Sequence, residues 1–227
     1  MNFNIKIQIF DKILTKLKRF CMKLAVFDFD STLMDGETID FLAEPLGLKD
    51  KVASITEMAM RGELDFFESL IMRVKLLEGL EEEKVNKICH NLPFMPGADE
   101  TIKALKKEGY KVLVFSGGFR NATGYAKDIL GFDADFSNVL HSKNGTLTGL
   151  VGGDMMFSHS KGDMLKRIQA ILGAKKEDTL VVGDGANDLS MFEFAGKRVA
   201  FCAKDVLKKA ADFVIDEKDL TKVLEFI

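Results

Sequence analysis

Apolar residues along this chain recur with two periods, and the places where the period changes mark its elements. Leu24-Ala25-Val26-Phe27 is a short, nearly unbroken apolar run, the pattern of a parallel strand covered on both faces. From Ile39 to Leu92 the spacing becomes three and four, as in Leu42, Leu46, Val52, Ile55 and in Phe67, Leu70, Ile71, Val74, Leu77, with polar residues between them. Breaks at Pro45, Gly47, Gly62 and Gly79 divide that stretch into about four short helices with no strand signal, which predicts a small helical unit packed outside the sheet layers. Pro93 and Pro96 frame the return, and Gly97 to Glu108 reads as a helix stopped by Gly109.

The remainder alternates. Strands are predicted at Lys111 to Phe115, Leu180 to Val182, Arg198 to Phe201 and Phe213 to Ile215, with helices at Asn121 to Leu130 and Lys161 to Leu172. Strands separated by helices imply right-handed crossovers and a parallel sheet. Asn144-Gly145, between β-rich runs from Val139 to Val151, signals a two-residue hairpin on the sheet's edge. The expected fold class is therefore α/β: a Rossmann-like parallel sheet core sandwiched by helices, made of residues 22–38 and 93–227, with a small inserted helical cap at 39–92.

Composition narrows the function more than it changes the fold. The 227 residues are enough for one sizeable core with an insertion, and 47% hydrophobic against 30% charged residues excludes a disordered class. A net charge of −3 gives no reason to expect nucleic acid or an anionic surface as partner. Cys21, Cys89 and Cys202 are odd in number and far apart, which supports neither a disulfide framework nor a zinc site and fits a reducing cytoplasm. His90, His141 and His159 lack metal-ligand spacing. Residues 1–21 form a basic amphipathic extension, with Lys12, Lys16, Lys18 and Arg19 among Phe10, Ile13, Leu14 and Leu17. No signal peptide or membrane span is expected there; a surface helix, a loose leader and a true start at Met22 all fit it.

Candidate chemistry lies where strands end. Asp28 and Asp30 follow the first strand, so both acids reach the rim of an open sheet, where ligands of such sheets bind. Two carboxylates ~4 Å apart repel by about 4 kcal/mol at an effective dielectric near 20, so a bound cation or shared proton is expected. An Asp-Ser-Thr turn capping the next helix would use the same residues. The second strand ends in Ser116-Gly117-Gly118, a hydroxyl and exposed backbone N–H groups ahead of a helix, which suits phosphate but also describes an ordinary turn. The third gives Gly183-Asp184-Gly185-Ala186-Asn187-Asp188, where Asp184 and Asp188 could converge on the same cation or simply cap a helix. Oxygen-only ligands favour Mg²⁺. Lys161, just before a helix, reads alone as a solvated lysine.

In order along the chain, Asp28-Phe29-Asp30-Ser31-Thr32, Val114-Phe115-Ser116-Gly117-Gly118-Phe119, Lys161-Gly162 and Gly183-Asp184-Gly185-Ala186-Asn187-Asp188 resemble the four motifs of the haloacid dehalogenase superfamily of aspartate-nucleophile phosphatases. The resemblance runs from about Met22 to the C-terminus, and within the superfamily it is to the members that hydrolyse O-phosphoserine, the last step of serine biosynthesis. It implies Asp28 as nucleophile, Asp30 as proton donor and base, and Lys161 as the group that holds phosphoryl charge. It implies one Mg²⁺ per site, held by the Asp28 carboxylate, the Asp30 main-chain carbonyl and Asp184, with Asp188 behind them. Ser116, Gly117 and Asn187 would contact phosphate or nearby substrate atoms. In the cap, Glu37 and Arg73 match positions for the substrate's ammonium and carboxylate, and Met60 and Phe66 match apolar positions that shut out water. A small-molecule substrate, with neither nucleic acid nor an integral membrane segment, is the partner expected. A phosphotransferase, a phosphatase of another small phosphomonoester, or a non-catalytic phospholigand-binding member would carry the same motifs.

Overall fold

The computed structural model describes residues 22–61 and 63–227, together with the backbone but not the side chain of Met60. The amphipathic reading of 1–21, Cys21 and the break at Gly62 lie outside the described residues.

A seven-stranded sheet forms the centre, in the order β4-β3-β2-β1-β5-β6-β7. Its strands are β1 (Lys23–Phe27), β2 (Tyr110–Phe119), β3 (Ala134–Lys143), β4 (Thr146–Gly153), β5 (Thr179–Gly183), β6 (Lys197–Phe201) and β7 (Phe213–Ile215). All neighbours pair in parallel except β3 with β4. The apolar run that predicts β1 is explained by its two faces. Ala25 and Phe27 point into one core layer, while Leu24 and Val26 point into the other, and all four are fully buried.

β1 pairs with β2 on one side and β5 on the other. The chain leaves β1 in opposite directions to reach the rest of the sheet, so the switch point where ligands of open sheets bind lies at the end of β1. Asn144 and Gly145 both have positive φ, 53° and 77°, as the predicted hairpin requires.

Four helices fill the stretch after β1: α1 (Thr38–Ala43), α2 (Lys49–Met60), α3 (Phe66–Lys75) and α4 (Glu82–Cys89). Their buried side chains, including Leu42, Leu70, Val74 and Val85, belong to the same cluster as Phe27, Val114 and Val182 on the sheet. Their last connection also joins the hairpin: Gly79 N–H donates to Leu147 O, Leu147 N–H to Leu80 O and Glu82 N–H to Gly145 O, each at 2.9 Å. The remaining long helices, α5 (Ala98–Lys107), α6 (Arg120–Leu130) and α7 (Ser160–Leu172), follow the predicted alternation. Among the described residues no helix is long and apolar enough to cross a membrane.

β3 is longer than its sequence suggests. Its first half, Ala134 to Asn138, is polar and reads as loop, yet Asp135 and Ser137 find hydroxyl partners on Thr123 of α6 at 2.7 and 2.9 Å. Buried polar groups satisfied in this way can enter a sheet without the desolvation cost that would exclude them.

Candidate active site

Three adjacent strand ends supply the core of the site. Asp28 directly follows β1, and its N–H donates to Val182 O on β5 at 2.9 Å, which keeps the acid in register with the sheet. Its Oδ1 accepts the Phe29 N–H at 2.7 Å and lies 2.6 Å from Lys161 Nζ. Lys161, in the first turn of α7, reaches Asp188 Oδ1 at 2.6 Å as well. The second oxygen of Asp188 accepts the N–H groups of Asp184 and Gly185, each at 3.0 Å. Asp28, Lys161 and Asp188 are all almost fully buried.

Two glycines permit this convergence. A Cβ on Gly183 would strike the Asp188 carboxyl group, and a Cβ on Gly162 would strike the backbone carbonyl of Ser190. The first lets the Gly183–Asp188 loop fold back on itself. The second lets α7 approach closely enough for Lys161 to reach both acids.

The charges do not balance. Asp28, Asp184 and Asp188 each offer a carboxylate oxygen, all within 4.8 Å of one another, against one buried ammonium. Burial pushes the Asp28 carboxyl well above its usual range, Asp188 adds to this, and Lys161 opposes it. Asp184 rises to about 6 through burial and then through Asp188. Burial disfavours the Lys161 charge, but Asp188 and Asp28 outweigh it and hold the ammonium above its ordinary value. Carboxylates this close to one another need a shared proton unless a cation takes its place. An oxygen-only cluster with surplus negative charge fits hard Mg²⁺. Asp188 already spends both oxygens on Lys161 and backbone N–H groups, whereas Asp184 and Asp28 are the freer donors.

Asp30 occupies a different environment. Its Oδ1 accepts the Thr38 N–H at 2.7 Å and also the Thr38 hydroxyl, while its Oδ2 accepts the Ser116 hydroxyl at 3.2 Å. Ser116 Oγ in turn accepts the Gly118 N–H at 2.9 Å. Burial raises the Asp30 carboxyl, and the Thr38 and Ser116 donors pull it back. Ser116, Gly117 and Gly118 sit in the last turns of β2, past a register shift beginning at Phe115, rather than in a free loop. Fully buried Asn138 fixes that irregular end, donating to Gly117 O at 3.0 Å and Met155 O at 3.1 Å and accepting from Met155 N–H at 3.0 Å. Neither Thr38 nor Asn138 is singled out by sequence. Thr38 reads as a routine helix start, and Asn138 as part of a polar loop.

A cavity of about 530 Å³ separates these groups from the helical segment. Its lining includes Asp28, Asp30, Gly117, Asp184 and Asn187 at the strand ends, Glu37 just ahead of α1, and Phe66 and Arg73 on α3. Asp65 and Glu68 form a reciprocal N-cap on α3, at 2.7 and 3.0 Å, which fixes the first turn. Phe66 and Arg73, seven residues apart, then share one helix face. A Cβ on Gly117 would lie 3.0 Å from Phe66 Cζ, so the ring rests directly on that strand end. Arg73 Nε donates to Ser69 O at 3.2 Å; its guanidinium makes no ion pair among the described residues. Glu37 accepts the Ser31 hydroxyl at 2.8 Å. Its carboxyl opens onto the cavity yet is crowded by protein, and that burial, with Asp30 nearby, raises it to about 8 against the pull of Ser31. Met60 ends α2, and its side chain lies outside the described residues. Asp40 and Lys204 also line the cavity, although the sequence motifs include neither.

The model of the haloacid dehalogenase-like hydrolase family matches residues 22–196. The chain is 60% identical over 203 residues to the phosphoserine phosphatase of Wolinella succinogenes, covering 89% of this chain and 98% of that protein. It is 50% identical to the phosphoserine phosphatase of Campylobacter jejuni subsp. doylei, over 91% of this chain and all of the relative. A structure described as a phospho-aspartyl intermediate analogue of phosphoserine phosphatase is similar to it with a TM-score of 0.87, at 48% identity over 91% of this chain and 99% of that one. A substrate-bound phosphoserine phosphatase is similar with a TM-score of 0.86, at 48% identity over 91% and 98%.

Proposed function

The chain belongs to the haloacid dehalogenase-like hydrolase family, and on that premise we propose that it hydrolyses O-phosphoserine to serine and phosphate, with Asp28 as the nucleophile. The observation that carries this reading is the buried Asp28–Lys161–Asp188 constellation at the end of the central strand, beside a cavity that Arg73 and Glu37 also line.

An Asp28 oxygen attacks phosphorus as the bond from phosphorus to the serine oxygen breaks, leaving an aspartyl-phosphate. Asp30 gives a proton to the departing serine oxygen. Water then attacks the same phosphorus, Asp30 takes its proton, and the Asp28 carboxylate is released with phosphate. Lys161 keeps Asp28 oriented and supplies positive charge for the phosphoryl oxygens. Ser116 and the N–H groups of Gly117 and Asn187, with the Asn187 amide, form the phosphate seat. Phe66, resting on Gly117, keeps bulk water from the intermediate, and Met60 is assigned the same task.

One Mg²⁺ per site would be held by the Asp28 carboxylate, the Asp30 main-chain carbonyl and Asp184, with Asp188 behind them; when bound it neutralises charge on the phosphoryl group. Arg73 can grip the substrate carboxylate with two parallel hydrogen bonds, and Glu37 faces the ammonium. In this reading residues 39–92 act as the cap over a core made of 22–38 and 93–227. The reaction is the last step of serine biosynthesis, and unpaired Cys89 and Cys202 suit a reducing cytoplasm.

The test is a panel of small phosphomonoesters assayed for phosphate release with Mg²⁺. Phosphoserine is expected to have the highest kcat/KM; release no faster than from glycolate or sugar phosphates would overturn the substrate, and acceptor-dependent transfer to an added alcohol would make the protein a phosphotransferase. Activity surviving in Asp28→Asn would remove the nucleophile, whereas loss of at least about 10³-fold supports it.

A further inference from the structure

Asp30 stands out for the origin of its hydrogen bonds. One carboxylate oxygen is held entirely by Thr38, through both its N–H at 2.7 Å and its hydroxyl. Thr38 is 1% exposed and is the first residue of α1, immediately after Glu37. The other oxygen faces Ser116, and a Cβ on Gly118 would come within 2.5 Å of it, so the carboxylate is pinned between the start of α1 and the end of β2. Among the described residues no other contact joins the helical segment to an acid of the strand ends through two donors of one residue.

We propose that Thr38 is the positioning residue for proton transfer by Asp30, and that it ties the seating of the substrate's amino end at Glu37 to the placement of the Asp30 carboxylate. This rests on the reading of Asp30 as the proton-transfer group. The two Thr38 donors converge on Oδ1 and fix the place of that oxygen, and the Ser116 hydroxyl on Oδ2 sets the rotation of the carboxylate about it; with one donor fewer on Oδ1 that anchor loosens. The Thr38 N–H belongs to the backbone at the beginning of α1, so a shift of α1 moves it together with Glu37. The hydroxyl is the part that substitution can remove.

The consequence depends on the leaving group. Serine leaves as an alkoxide that needs a proton in flight, while a nitrophenolate leaves without one. Misplacing Asp30 therefore slows loss of serine and slows water attack on the aspartyl-phosphate, but it leaves attack of Asp28 on an aryl phosphate intact.

The experiment compares the full chain with Thr38→Val and Thr38→Ser, using phosphoserine and p-nitrophenyl phosphate in the presence of Mg²⁺. Thr38→Val keeps the shape and the backbone N–H but deletes the hydroxyl. Its kcat on phosphoserine is expected to fall by about 10- to 100-fold, part of the 10²- to 10⁴-fold that general acid–base catalysis supplies, with KM changed less than threefold. With p-nitrophenyl phosphate the pre-steady-state burst of nitrophenolate should keep its rate within about twofold, while steady-state turnover slows. Thr38→Ser should restore most of the loss.

Equal loss in the burst and on phosphoserine, no loss at all, or failure of Thr38→Ser to recover overturns the proposal. If the wild type ignores phosphoserine but hydrolyses another alkyl phosphate, the substrate reading fails and the same comparison is read on that ester. A wild type that hydrolyses only the aryl ester overturns both.

Discussion

Arg73 brings a half-buried guanidinium to the cavity wall with only its Nε engaged among the described residues, on the Ser69 carbonyl. Burial lowers its pKa and the Glu37, Asp30 and Asp40 charges oppose that shift, so a carboxylate placed beside it would complete a pair already partly desolvated. Arg73→Ala should raise KM for phosphoserine by about 10- to 100-fold, the worth of a charge-assisted bidentate contact, and change KM for a phosphate ester without a carboxylate much less. Steady-state kinetics on the two esters decide it, and equal losses would remove the specificity role. Glu37 gives a pH prediction. Its carboxyl, raised to about 8, is largely neutral in the free protein at pH 7, and an ammonium binds better to the ionised form. KM for phosphoserine should therefore fall as pH rises from 6 to 8, relative to an ester of the same size lacking the amino group. Asp28 and Asp184 are legible in sequence because acids gathered at strand ends carry their chemistry in side-chain type and spacing, whereas Lys161 alone reads as a solvated lysine and stands out only through the order of motifs that resembles a family. Thr38 is not legible, because its part comes from where the first turn of α1 lands, and any small polar residue would read alike before folding.

Helix α7 shows how an element delivers a residue. Its first turn packs so closely on the short helical turn Leu189–Phe192 that Gly162 has no room for a Cβ beside the Ser190 carbonyl, and Gly162 N–H donates to Ser190 Oγ at 3.1 Å. Backbone cannot yield as a side-chain tip can, so Gly162→Ala should cost about 1–3 kcal/mol by overpacking. The displaced turn carries Lys161 with it. Thermal melts and kcat measured together should show both falling; an unchanged Tm would mean the two backbones can separate. Most strands and helices with a strong apolar pattern were readable within a residue or two: β7 matches its predicted span and α7 begins one residue early, but β2 runs four residues past its predicted end at Phe115, to Phe119. The first half of β3 was not readable, since its polarity is compensated only by Thr123 on another element, and such compensation has no local signature.

For the molecule as a whole, the surplus of buried acid at the strand ends, taken by itself, opposes folding above neutral pH. Asp184 titrates at about 6 in the folded chain against an ordinary value of 3.8. The folded state thus holds its proton more tightly, and the stability this contributes is complete below pH 4 and is lost as pH rises through 6. Burial shifts Asp28 in the same direction. Without divalent cations the protein should be less stable at pH 7 than at pH 5, by about 1 kcal/mol for Asp184 alone, or roughly 2–4 °C in Tm. Mg²⁺ should restore stability at pH 7 and do little at pH 5. Calorimetry with and without chelator reads both; a Tm indifferent to Mg²⁺ at pH 7 would remove the cation from this cluster.

The three hydrogen bonds between Gly79–Glu82 and Gly145–Leu147 give the connection between α3 and α4 a sheet partner far from it in sequence. Amides so shared cannot be released by fraying of α3 or α4 alone, because each is closed by a strand on the other side of the contact. In heavy water, the Gly79, Glu82 and Leu147 amides should exchange together and as slowly as those of the central strands, while those along α2 exchange earlier. Isotope uptake would then trace a single slow unit running from the hairpin tip into the segment above the cavity, leaving α2 as the stretch that breathes.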